Sequence, residues 1–72
     1  MSTAREAVRA AAERLGPISY TPELDAELLM AHALGLTRSD YLLKSRDLDE
    51  PQDFWPMVER RALYEPVAYI LG

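Results

Sequence analysis

Residues 21–35 read TPELDAELLMAHALG, and this stretch decides the fold. Thr21 is suited to an N-cap, since its hydroxyl can accept a hydrogen bond from an unpaired N–H of the first turn. Pro22 suits the first helical position, where its missing N–H is not needed and its fixed φ is already helical. Glu23, Asp25 and Glu27 place negative charge near the positive end of the helix dipole. Gly35 is placed to end the helix in a left-handed conformation. Between Leu28 and Leu34 the only polar residue is His32, so the second half of this helix is apolar nearly all round. Such a helix must be enclosed by neighbours, which makes it the central rod of a small helical bundle.

Outward from that rod, the preceding segment opens with a capping box, Thr3-x-x-Glu6. Apolar residues at 4, 7, 8, 11, 12 and 15 repeat one helical face for three turns. Most of them are alanines, which allow close approach but bury little area, so this helix leans on the central one. Arg5, Glu6, Arg9, Glu13 and Arg14 form its solvated face, with Arg9 and Glu13 spaced as an i,i+4 pair. Gly16-Pro17 ends it.

After the rod, Thr37-x-x-Asp40 caps a short third helix, with Leu36 and Tyr41 at the positions of a hydrophobic staple. Asp49-x-x-Gln52 reads as a further cap, followed by Phe54, Val58 and Ala62 at four-residue spacing. Pro56 conflicts with an unbroken helix from Glu50, because an interior proline removes a hydrogen bond and costs about 3 kcal/mol. The helix therefore bends there or starts afresh from Asp53. A last segment of one to two turns follows Pro66. The expected fold is all-α, a small bundle of about five helices near residues 3–15, 22–34, 38–44, 50–63 and 66–71. Its expected core is Val8, Leu15, Leu24, Leu28, Ala31, Leu42, Phe54, Val58 and Ile70.

Seventy-two residues make one domain at most, with stability on the order of 4–10 kcal/mol. Having no cysteine, the chain holds no disulfide scaffold, thiolate metal site or thiol nucleophile. No apolar run is long enough for a membrane span, and the N-terminus lacks a signal-peptide layout, so a cytoplasmic location is expected. The net charge of −4 disfavours a general affinity for nucleic acid. Charge is zoned: residues 21–35 and 49–65 each carry −3, while 1–20 and 36–48 each carry +1.

Candidate chemistry is sparse. His32, the only histidine, has no second histidine or cysteine to form a metal site with it, and it is read as a packed or half-exposed structural residue. The three glycines are isolated at 16, 35 and 72, so there is no phosphate-binding loop. Ala31, Gly35 and Tyr41 fall at helix-turn-helix spacing, with Arg38, Ser39 and Lys44 on the would-be recognition helix. That nucleic-acid reading competes poorly, because the helix is short and its flanks are acidic. A free-standing protein-interaction domain is a further alternative. Arg60-Arg61 suits either an anionic partner or the negative end of the fourth helix, with Glu65 as a neighbour.

Residues 60–72, RRALYEPVAYILG, carry a specific resemblance. Arg60, Arg61, Glu65, Pro66, Val67, Ala68, Tyr69, Ile70, Leu71 and Gly72 resemble the end of the N-terminal domain of bacterial release factor glutamine methyltransferases. Leu24, Asp25, Ala26, Glu27, Leu28, Leu29 and Leu34-Gly35 are similar to that family's central block. Tyr64 departs from it, standing where many relatives have a helix-capping glycine, and Pro56 is also unusual. The resemblance implies a larger enzyme in which a linker and a methyltransferase domain that binds S-adenosylmethionine follow this one. That enzyme methylates the glutamine of the Gly-Gly-Gln loop of peptide chain release factors. The cofactor-binding glycines and the Asn-Pro-Pro-Tyr motif belong to the second domain, expected after residue 72. This chain is then expected to hold no catalytic, cofactor or metal residue. Its partners would be the release factor and its own catalytic domain, with no membrane and no nucleic acid. Arg60, Arg61 and Tyr69 are its candidate partner or interdomain contacts.

Overall fold

The computed structural model describes residues 2–72. Five helices follow one another: α1 (Ala4–Leu15), α2 (Pro22–Leu34), α3 (Arg38–Lys44), α4 (Phe54–Ala62) and α5 (Val67–Leu71). Among the described residues there is no strand; Thr3 and Asp49 form an isolated bridge. The central-rod reading of α2 holds. It packs against each of the other four helices, most extensively against α1, whose small side chains Ala4, Ala7 and Ala11 are all buried.

Local chemistry sets the ends of these elements. The Thr3 hydroxyl accepts the Glu6 N–H at 3.2 Å while Glu6 Oε1 accepts the Thr3 N–H at 2.9 Å, completing the capping box. Those bonds hold the Glu6 carboxyl below the usual carboxylate range, the backbone N–H of Thr3 contributing most. Thr37 caps α3 by accepting the Asp40 N–H at 3.1 Å. Gly35 takes φ +70° and lets the Leu36 N–H reach the Ala31 carbonyl at 2.8 Å and its own N–H reach His32 at 3.1 Å, a Schellman closure.

Three expectations of cap and boundary are corrected. Thr21 makes no cap bond; its hydroxyl instead donates to Asp25 Oδ1 at 3.3 Å. Asp49-x-x-Gln52 starts no helix, because its backbone is already engaged with the N-terminus: Glu50 N–H donates to the Ser2 carbonyl, 3.1 Å, and Ala4 N–H to that of Leu48, 2.7 Å. Helix α4 therefore starts at Phe54, after Asp53. Pro56 falls in its first turn, where no hydrogen bond is lost, and the restart is the alternative that forms. Arg9 and Glu13 do not pair; the ion pair of that face joins Arg14 to Glu59 on α4 at 3.0 Å.

The core holds Val8, Leu15, Ala31, Phe54, Val58 and Ile70 as expected, together with Ala26, Leu29, Met30 and Tyr41. Leu24 and Leu42 are exposed and Leu28 is only half-buried. Helix α2 is apolar around most of its circumference, so its sequence period carries no phase, and its neighbours choose Leu29 and Met30 over Leu24 and Leu28. His32 lies on the exposed side, so of the packed or half-exposed positions expected of it the packed one does not form.

Tyr64 does not pack across the turn that follows α4. It occupies the left-handed region itself, φ +71°, at 70 % exposure. Its N–H donates to Arg61 at 2.9 Å and the Glu65 N–H to Arg60 at 3.3 Å, so the turn keeps the Schellman form without glycine. A left-handed L-residue costs roughly 1–2 kcal/mol, partly offset by the greater unfolded-state entropy of glycine. Tyr64→Gly is expected to raise stability by about 0.5–1 kcal/mol, read as a melting temperature a few degrees higher. An unchanged or lower melting temperature would show that the tyrosine ring contributes packing.

Candidate functional site

The two sequence blocks that carry the family resemblance meet in space. Arg61, in the last turn of α4, donates from Nε to Asp25 Oδ2 at 3.0 Å, with side-chain exposures of only 17 % and 10 %. The Ser19 hydroxyl donates to the same oxygen at 2.6 Å, while Thr21 donates to the other. The Thr21 N–H in turn donates to Ser19 Oγ at 3.1 Å. Asp25 is thus the acceptor at the centre of a small, partly buried network joining the α1–α2 connection, the start of α2 and the end of α4. Its placement near the helix dipole gave a sufficient local reason for an acidic residue, and that local reason hid the contact. Only opposite charges in two matched blocks, 36 residues apart, hinted at it.

Arg60 turns outward and closes on Glu65 with two bonds, Nε to Oε2 at 2.8 Å and Nη2 to Oε1 at 2.6 Å. This two-pronged contact holds the Glu65 carboxyl below its ordinary range and raises the guanidinium. The Arg-Arg pair therefore divides its work: Arg61 faces inward to α2, and Arg60 faces outward to brace the turn into α5. Tyr69 is 74 % exposed on α5, and Leu63 and Tyr64, just after α4, are exposed too. The three residues singled out from sequence thus lie close together along the chain but in different settings, one half-buried, one ion-paired and exposed, one apolar and exposed.

Of the residues placed on a would-be recognition helix, Arg38 is held by Glu27 of α2 at 2.7 Å, while Ser39 and Lys44 are exposed. Among the described residues no group of three His, Cys, Asp or Glu side chains is placed to hold a metal ion, and no helix is long and apolar enough to cross a membrane.

A groove of about 810 Å³ opens on the surface, one that sequence reading did not find. Helices α1 and α3 both pack on α2 with their own backbones held apart, and the groove runs between them. Val8, Tyr41 and Leu42 lie along it. Burial is the main cause that raises the Tyr41 hydroxyl above its ordinary pKa, and Glu27 adds to it.

Comparison with known proteins agrees with the two blocks. The chain is 45 % identical, over its full length, to a release factor glutamine methyltransferase of Corynebacterium glutamicum, of which it spans 26 %. It is 44 % identical over 71 % of its length to that of Nitratidesulfovibrio vulgaris, covering 18 % of the relative. It is 36 % identical over its full length to that of Coxiella burnetii, covering 27 %. No solved structure gives a significant match. The chain thus spans about a quarter of the length of relatives to which it is similar throughout. With residues 6–72 matched by the family described as the PrmC N-terminal domain, the chain belongs to that family.

Proposed function

We propose that this domain is the substrate-docking part of a larger S-adenosylmethionine-dependent enzyme that methylates the glutamine of the Gly-Gly-Gln loop of peptide chain release factors. The family match over residues 6–72 carries this reading. Catalysis and cofactor belong to a second domain expected after residue 72. Here the helices offer surfaces: the ion-paired Arg60 and the exposed Tyr69 for the enzyme's own catalytic domain, and acidic zones for the release factor. A contact remote from the reacting glutamine contributes by orienting a long substrate and by supplying binding energy away from the chemistry.

S-adenosylmethionine, like nucleotide-type cofactors in general, calls for a glycine-rich strand-to-helix turn and a carboxylate for its ribose. Calorimetric titration of the domain with millimolar S-adenosylmethionine is therefore expected to show no saturable heat. Added in excess to an intact release factor glutamine methyltransferase, the domain is expected to slow methylation by raising the apparent KM for the release factor, with kcat unchanged. One-to-one cofactor binding, or an excess of domain that leaves KM unmoved, would overturn the assignment.

A further inference from the structure

The groove between α1 and α3 is polarised from end to end. Short connections make α1 and α2 neighbours in a helical hairpin, so the last turn of α1 lies beside the first of α2. Glu13 and Glu23 thereby share one end of the groove. At the other end the Arg5 N–H donates to the Ser45 carbonyl at 3.2 Å, which brings Arg46 to the first turn of α1. Arg5 and Arg46 line that end, and Arg9 stands midway along the α1 wall, between Arg5 and Glu13.

Ion pairing separates these arginines from the rest. Arg14, Arg38, Arg60 and Arg61 each hold a carboxylate of this chain. Arg5, Arg9 and Arg46 take part in no ion pair among the described residues, and neither do Glu13 and Glu23. The arginines left free are the ones lining the groove. Between its charged ends the exposed half of Leu42 offers apolar surface.

We infer that this groove is the docking surface for a helix of the protein partner, one with aliphatic side chains along one face, basic residues at one end and acidic residues at the other. Shape supports a helix: two helices that flank a third leave a channel of the kind that receives an amphipathic helix. The span from Arg5 to Glu13 is about 12 Å at 1.5 Å per residue, enough for two turns. Charge supports a segment of mixed sign, since a nucleic-acid backbone would meet Glu13 and Glu23 as well as the arginines. Opposed charge at the two ends also fixes the direction in which the helix lies. This inference rests on the docking function proposed above and adds the face that performs it.

The test uses calorimetric titration of a peptide chain release factor into the 72-residue chain and its variants. Arg9→Glu combined with Glu13→Arg inverts the polarity of one groove wall at constant net charge. Leu42→Arg blocks the opposite wall. Leu43→Arg adds the same charge one residue away, at a position 82 % exposed and outside the groove. All four side chains are exposed, so melting temperatures should stay within a few degrees. Tenfold or greater weakening is expected for both groove variants, with Leu43→Arg within about threefold of the unsubstituted chain. Binding that ignores the groove substitutions would overturn the groove and leave docking standing. No binding by the unsubstituted chain would overturn the docking function and this inference with it. Tight binding of duplex DNA that the polarity swap abolishes would replace the protein helix with a nucleic acid.

Discussion

Phe54→Ala is expected to lower the unfolding free energy by about 3–5 kcal/mol, close to the whole stability of a domain this small, on the order of 4–10 kcal/mol. Phe54 is fully buried and is the largest such side chain. It stands at the first position of α4 with its ring edge-on to Trp55, centroids 5.4 Å apart. Its loss leaves a cavity where α4 begins, and 72 residues hold little other core to collapse into it. At 37 °C the variant should lose much of its helical circular dichroism, while the unsubstituted chain melts cooperatively at higher temperature. A variant whose melting temperature falls by less than about 5 °C, near 1 kcal/mol, would show that the core is held elsewhere.

Asp25→Ala is the second large effect. Removing the carboxylate leaves the Arg61 guanidinium mostly buried with its counter-charge gone and strands the Ser19 hydroxyl. Breaking a buried pair from one side typically costs 3–5 kcal/mol; with both side chains retaining some exposure, about 2–3 kcal/mol is expected. Arg38→Ala, which opens the pair with Glu27, should cost under about 1 kcal/mol, as half-exposed pairs do. Urea unfolding of these variants, with a double-mutant cycle on Asp25 and Arg61, measures the coupling directly. A coupling near zero would reduce the pair to a screened surface contact. Replacing both partners together should cost less than the sum of the single changes, because no charge is then left buried alone.

The sequence made the elements legible where local chemistry acts alone. Thr3-x-x-Glu6, Thr37 and Gly35 terminate helices through groups within a few residues, and the proline at 56 marked where α4 restarts. Contacts made at a distance were not legible. Thr21 and Asp25 had adequate local explanations as cap and dipole partner, yet the Thr21 hydroxyl donates to Asp25, and Asp25 accepts from Ser19 and Arg61 as well. The face of α2 that is buried was misassigned at Leu24 for lack of phase in an all-apolar helix, and Leu42 was misplaced because α3 is too short to show a period. The groove was invisible for a related reason. It is defined by two helices whose backbones stay apart, and no residue pattern in either helix reports on that.

Resemblance and physics contribute different parts of the functional reading. The two matched blocks identify the family, and the structure adds that they are physically joined through Asp25 and Arg61. That pairing gives Arg61 a structural duty, and Arg60, Tyr69 and the groove are the surfaces proposed to meet other molecules.

Binding of a release factor to the isolated domain tests the docking account most directly. A release factor carrying an intact Gly-Gly-Gln loop, and one with that glutamine replaced by alanine, would be titrated in turn into the 72-residue chain at low salt. A secondary contact burying less than about 1,200 Å² predicts saturable one-to-one binding no tighter than micromolar, near −8 kcal/mol. It should be equal for the two release factors and weaker as salt rises. Absence of binding at hundreds of micromolar, on the order of −5 kcal/mol, or affinity that depends on the glutamine, would contradict a docking domain whose chemistry lies elsewhere.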